Sequence, residues 1–165
     1  MAAEYGKYSS DMTRTKPITG VFSARQKAVY EAVLKVKKDA TRLLVPGTLW
    51  KEYHVEVGKI MTSELIGLGL LDKADLQNES VDQPAYKKYF MHGTSHHMGL
   101  DTHDYGLLHL PMEAQMVFTV EPGIYIPEEG FGIRLEDDVV IQKRGEPLNL
   151  MADIPIEIEA IESYM

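Results

Sequence analysis

Two helical patterns in succession, with β-prone segments on either side, restrict this chain more than any other feature. From 23 to 44, Val29, Ala32, Val33, Val36, Ala40, Leu43 and Leu44 recur at the spacing of one helix face. Ser23 with Gln26 three residues on makes a capping box, and Pro46-Gly47 ends the segment. The run Lys35, Lys37, Lys38 reads as a solvated face near the helix C-terminus. Thr48 is placed to cap a second helix running to about Leu68. Its stripe is Trp50, Tyr53, Val57, Ile60, Met61 and Leu65, with Trp50 as a core anchor and His54 structural or at the surface. Ahead of both helices, residues 5–15 alternate in character and predict a strand pair or bent strand, closed by Pro17 and Gly20. Behind them, residues 73–83 read as a polar loop, and Tyr86, Tyr89 and Phe90 as a short helix. Residues 116–121 are β-prone, Pro122-Gly123 breaks the run, Ile124-Tyr125-Ile126 resumes it, and 132–141 predicts another strand. That order predicts an α+β fold, a mostly antiparallel sheet with helices on one face.

The 165 residues fit one domain. A net charge of −8 argues against nucleic acid and anionic membrane as partners. With no cysteine, any metal must be held by His, Asp or Glu. No apolar run is long enough to span a membrane, and residues 1–19 lack a signal-peptide core, so a cytoplasmic protein is the default expectation.

Chemistry concentrates in residues 91–104, M-H-G-T-S-H-H-M-G-L-D-T-H-D, which hold four of the six histidines: His92, His96, His97 and His103. The His92–His96 spacing matches the helical zinc-protease motif, but Gly93 stands where that motif needs Glu, and Gly93 and Gly99 oppose a helix. The stretch reads as irregular backbone whose glycines let side chains crowd a pocket. Asp11, Glu121 and Glu136 each interrupt a β-prone run, where carboxylates are normally kept off buried faces. Any one of them alone reads as a solvent-facing acid. Together with the histidines they suit Mn²⁺, Fe²⁺, Co²⁺ or Zn²⁺, and the pattern points to a metal-dependent hydrolase.

Four segments in order, S-S-D-M-T-R-T, H-G-T-S-H-H-M-G-L-D-T-H-D, V-F-T-V-E-P-G-I-Y-I-P and G-I-R-L-E-D-D-V-V-I, resemble the catalytic domain of Xaa-Pro aminopeptidases and prolidases, the pita-bread metallopeptidases. The likeness runs from about Glu4 to Glu159. It implies a partial pita-bread fold, a curved and mostly antiparallel sheet with helices on its outer face. It implies hydrolysis of amino-terminal Xaa-Pro bonds by a metal-activated water. By motif, Asp11 and Glu136 would bridge two divalent ions, typically manganese with cobalt, zinc or iron as alternatives, and His96 and Glu121 would hold one of them. His92 and His103 would orient substrate and assist proton movement, Arg134 would support the site, and Tyr125 would form pocket wall. Glu121 would also shuttle a proton. The partner implied is a peptide with proline at its second position. Without the resemblance, Arg134 reads equally as pairing with an acid and Tyr125 as sheet packing, while His97 and His109 have no assignable role.

The family's fifth ligand, an aspartate one strand earlier, would lie just ahead of Met1, and Gln115 stands where the family often has glycine. The expectation is therefore a truncated catalytic domain over 1–165, holding one ion where the complete site holds two, with impaired turnover. An uncovered sheet edge and apolar face would then favour a homo-oligomer. Alternatives are an inactive pita-bread binding module, or a prolidase, creatinase-like hydrolase or methionine aminopeptidase.

Overall fold

The computed structural model describes residues 2–80 and 83–165; Met1 and the 81–82 part of the expected polar loop lie outside the described residues. Strands β1 (Ala2–Tyr5) and β2 (Tyr8–Asp11) form the expected pair, with Tyr5 opposite Tyr8. Gly6 and Lys7 between them have φ of 59° and 72°. Two left-handed residues are what a two-residue hairpin turn requires, and glycine accepts the first without a Cβ penalty.

Helix α1 (Ala24–Leu43) begins as its capping box predicts. The Ser23 hydroxyl accepts the Gln26 N–H at 3.2 Å, and the Gln26 side chain accepts the Ser23 N–H at 2.9 Å. Helix α2 (Trp50–Gly67) packs against it. Thr48 is not the cap of α2: that position is Leu49, without a side-chain bond, while the Thr48 hydroxyl donates to the Leu43 carbonyl at 3.1 Å and closes the end of α1. The expected loop over 73–83 contains helix α3 (Lys73–Gln77), started by Asp72, whose carboxylate accepts the N–H groups of Ala74 and Asp75. No residue of α3 is buried, so no apolar periodicity could reveal it. A 3₁₀ turn (Ala85–Lys88) follows as the expected short helix.

Strands β3 (Val117–Val120), β4 (Gly123–Ile126), β5 (Phe131–Arg134) and β6 (Asp137–Val140) form one antiparallel ribbon. β3 pairs with β6 and β4 with β5, and the register carries through unchanged: Val120 faces Asp137, and Gly123 faces Arg134. Glu121 is thereby set opposite Glu136, and Pro122 opposite Leu135. The Leu135 N–H reaches the Pro122 carbonyl at 3.3 Å, but proline has no N–H to return and the ladder breaks. The strand predicted over 132–141 is accordingly two strands split at Leu135-Glu136. β7 (Leu148–Asn149) extends β6 on its other edge. Every strand pairing among the described residues is antiparallel.

Helix α1 lies on β3, β4 and β5. Tyr30, Val33 and Val36 from the helix join Phe118, Ile124, Ile133 and Leu135 from the ribbon in one core, each large apolar side chain contributing roughly 1.5–3 kcal/mol on burial. Lys37 corrects the solvated-face reading of the cationic run. It falls one helical turn beyond Val33 on the face turned to the sheet, and it is 5% exposed. Its ammonium pairs with Asp137, which also takes Arg14 at 2.6 Å and the Asn149 amide at 2.8 Å. Burial pushes the Lys37 ammonium down from its ordinary value, and the Asp137 carboxylate opposes that shift. The last helix, α4 (Ile158–Ser163), buries Ile158 and Ile161. Among the described residues no helix is long and apolar enough to cross a membrane.

Removing the shared acid of the buried cluster leaves two cations without a counter-charge. Asp137→Ala is expected to lower the unfolding free energy by about 3–5 kcal/mol, read from the urea midpoint, and adding Lys37→Met to recover part of it. At the other end of α1, Glu162 accepts the Phe22 N–H at 2.8 Å and pairs with Lys27. These two contacts hold its carboxyl below the ordinary value of 4.5. Its stabilising contribution is therefore complete above 4.5 and lost as pH falls through the lower folded value. Glu162→Gln should flatten the fall of Tm on acidification below about pH 5, as followed by thermal melts from pH 6 to pH 3.

Candidate metal centre

The break in the ribbon is where the site forms. Glu121 and Glu136 face each other across it as a non-hydrogen-bonded pair, and the chain leaving β2 meets Glu136 on its outer edge. The Glu136 N–H donates to the Thr13 carbonyl at 3.0 Å. That bridge brings Asp11 alongside Glu136. The histidine stretch is irregular, as expected, and lies antiparallel along β3: the Thr119 N–H donates to the His96 carbonyl at 3.1 Å and the Glu121 N–H to the Thr94 carbonyl at 2.7 Å. The Ser9 N–H reaches the Gly99 carbonyl at 2.9 Å, tying the same stretch to β2. A side chain at Gly106 would collide with the His97 ring, and one at Gly99 with the Asp104 carboxylate, so both glycines are needed for this folding-over.

Asp11, His96 and Glu136 each offer a donor atom within 4.8 Å of the others. The His96 Nδ1–H donates to the His97 carbonyl at 2.9 Å, which leaves the Nε2 lone pair free and facing Glu121, whose Oε1 is 3.6 Å away. Burial pushes the Glu121 carboxyl up to about 7, Glu136 and Asp11 add to the shift, and Arg134 opposes it. One guanidinium faces these acids: Arg134 stands 3.8 Å from Glu121 and reaches the Glu136 carboxylate through Thr13. Three carboxylates converging with one imidazole lone pair, beside a single guanidinium, are the donor set of a divalent cation site, and the residues fit one.

The remaining expected residues frame this cluster. His92 Nδ1–H donates to the Gly93 carbonyl at 2.8 Å, so its Nε2 accepts from the Tyr125 hydroxyl at 2.8 Å. Burial pushes the His92 imidazole down, which favours this neutral form. The exposed His103 ring lies 4.2 Å, centroid to centroid, from the His96 ring. Of the histidines without a role, His97 is packed between Trp50 and Phe118, and His109 is exposed.

Sequence reasoning passed over three neighbours. The Thr13 hydroxyl donates to Glu136 Oε2 at 2.6 Å and accepts from Arg134 Nε at 3.1 Å, so one proton sets the direction of both bonds. Arg14 clamps the bridge from behind, donating to the Glu136 carbonyl at 2.7 Å and the Thr13 carbonyl at 3.0 Å. Asp138 accepts the Asp11 N–H at 3.0 Å. All three stand in the quoted motifs, two residues from a ligand candidate or nearly so, and that proximity was the available signal. Loss of a hydrogen bond that aims a ligand typically costs 10–100-fold in metal affinity. Thr13→Val is expected to weaken Mn²⁺ binding by about that factor and Thr13→Ser to restore most of it, as measured by titration of the Mn²⁺ electron paramagnetic resonance signal.

The chain matches metallopeptidase family M24 over residues 1–143. It is 42% identical to the Xaa-Pro aminopeptidase of Haemophilus influenzae, covering 98% of this chain and 40% of that protein. It is 39% identical to Xaa-Pro aminopeptidase 3 of Homo sapiens, covering 94% and 32%. Among solved structures, zinc-substituted Escherichia coli aminopeptidase P in complex with product superimposes with a TM-score of 0.85 at 42% identity, over 98% of this chain and 39% of that one. Pseudomonas aeruginosa aminopeptidase PepP gives 0.85 at 37% identity, over 98% and 39%. The chain thus spans about a third to two fifths of the length of the curated relatives it matches. These enzymes share the pita-bread fold, and the α+β expectation holds in that specific form. With its four motifs in register and its carboxylates and imidazole gathered at one ribbon break, the chain belongs to metallopeptidase family M24.

Proposed function

We propose that Asp11, His96, Glu121 and Glu136 hold a divalent ion, and that the site serves hydrolysis of peptides with proline at the second position. The observation that carries this reading is the approach of Asp11, His96 and Glu136 donor atoms within 4.8 Å, with Glu121 opposite Glu136 across the ribbon break. The names of the relatives support the substrate class. Oxygen donors with one imidazole suit manganese first, with cobalt, zinc and iron as alternatives. The four side chains suffice for one ion, and two-ion occupancy needs a further donor, so one ion per 165-residue chain and low turnover are expected.

A divalent ion supplies Lewis-acid activation of water and polarisation of the scissile carbonyl. The chain's residues do the rest. Glu121, half-buried and within 3.8 Å of Arg134, is the group to take a proton from water and return it to the leaving amine. His92 is fixed by Gly93 on one side and Tyr125 on the other, so it presents a constant face to the substrate. His103, exposed beside His96, is free to meet the proline-side carbonyl. Tyr125 forms wall, and Arg134 restrains Glu121 and Thr13 together. Self-association is part of the proposal: Tyr105, Leu107, Leu108 and Leu110 are exposed in one short segment, and light scattering that finds only monomer removes that part.

Equilibrium dialysis against Mn²⁺ with elemental analysis tests the centre. One ion per chain is expected, and its loss in His96→Ala and Glu136→Gln. On the same samples, any hydrolysis should be confined to Xaa-Pro dipeptides and longer Xaa-Pro peptides, with Met-peptides and creatine untouched. No ion uptake, or cleavage of Met-peptides instead, would overturn the reading.

A further inference from the structure

Thr119 and Asp138 are direct partners across β3 and β6. Both side chains are buried, at 0% and 1% exposure. Each polar group points at a main-chain N–H, and in both cases the N–H belongs to a residue that offers a donor atom to the site. The Thr119 hydroxyl oxygen accepts the His96 N–H at 3.1 Å, and Asp138 Oδ2 accepts the Asp11 N–H at 3.0 Å. Asp11 arrives from β2 and His96 from the irregular stretch, so the two share no ladder with each other and approach from different parts of the sequence. The paired side chains give them a common reference.

Side-chain alternation along β6 explains why the acid is there. Asp137 turns to Lys37 and Arg14 under helix α1, so Asp138 turns to the opposite face, the one carrying Asp11. A buried carboxylate is costly and is normally fully satisfied. Asp138 is not: its Oδ1 has no hydrogen-bond partner among the described residues. An apolar side chain would avoid that cost, so packing alone does not account for a polar residue here.

We propose that the cross-strand pair Thr119–Asp138 is a positioning platform that aims His96 and Asp11 by holding their main-chain N–H groups. The proposal rests on the metal-centre reading above. Neither side chain touches the ion; each acts through the backbone of a ligand. Loss of an acceptor would let the ligand backbone rotate and spread the donor set.

The test uses the full chain and Mn²⁺ as probe, with affinity read by electron paramagnetic resonance and main-chain order by amide hydrogen exchange. Asp138→Ala and Thr119→Val are expected to weaken Mn²⁺ by about 10–100-fold and to speed exchange at Asp11 and His96 respectively. Asp138→Asn and Thr119→Ser keep an acceptor oxygen and should recover most of both. Should Asp138→Ala fail to fold, the Thr119 variants and Asp138→Asn decide the matter. Equal weakening by Asp138→Asn and Asp138→Ala would mean that charge, not aim, is what Asp138 supplies, and overturns the proposal. Truncations that lower the unfolding midpoint while leaving the affinity of the folded chain within about twofold overturn it as well. An unaltered chain that takes up no Mn²⁺ overturns the metal-centre reading itself, and the platform with it; wild-type uptake unaffected by the variants overturns the platform alone.

Discussion

The meeting of Glu121 and Glu136 across an interrupted ribbon is the constraint on which the rest of this structure depends. The two form a non-hydrogen-bonded pair, with both backbones turning their N–H groups outward, Glu121 to Thr94 and Glu136 to Thr13. Pro122 withholds one donor from Leu135, so the pairing is interrupted at this point between β3–β6 and β4–β5. The chain leaving β2 docks on the outer edge at Glu136 and brings Asp11 with it. Burial first, and then the like charges of Glu136 and Asp11, push the Glu121 carboxyl upward. A single guanidinium, Arg134, stands against the three carboxylates, so the arrangement is suited to a cation from outside.

The strand after the break sorts three consecutive acids by face. Glu136 and Asp138 turn toward the site, while Asp137 turns under helix α1 to meet Lys37 and Arg14. Arg14 then does two things with one guanidinium: it neutralises Asp137 and it holds the carbonyls of Thr13 and Glu136 together. The helix layer and the site are thus mechanically joined through a buried ion cluster. Such clusters stabilise little relative to apolar packing but are severely disrupted when one member is lost. Here the cluster also determines where the bridge to Thr13 can form.

The same geometry shows which parts of the reading were accessible beforehand. Helix α1 was legible to the residue because the Ser23–Gln26 capping box and the apolar face are both local signals. Helix α3 was not, since a five-residue surface helix leaves no periodicity. Lys37 departs from the solvated-face expectation because its position places it on the buried face of α1, and its partner is a hundred residues away. Thr48 was misassigned for a similar reason, its hydroxyl serving the preceding helix end rather than the next start. The site's acids were noticed as anomalies in β-prone runs, and they proved to stand at strand ends and breaks.

Sequence by itself determined the order of the two long helices and the strands flanking them, the break at Pro122 and the chemical types available: imidazole and carboxylate without thiolate, in motifs that carry a family's signature. Each of these depends on residues near one another along the chain or on composition. Only the tertiary structure decided that Glu121 faces Glu136 in continuous register, that Thr13 pairs with the outer edge at Glu136, and that Thr119 and Asp138 reach the backbones of His96 and Asp11. Those are contacts between segments separated by up to 127 residues. They arise from strand pairing and helix packing, and local propensity carries no information about which distant backbone will fill an open hydrogen-bonding position.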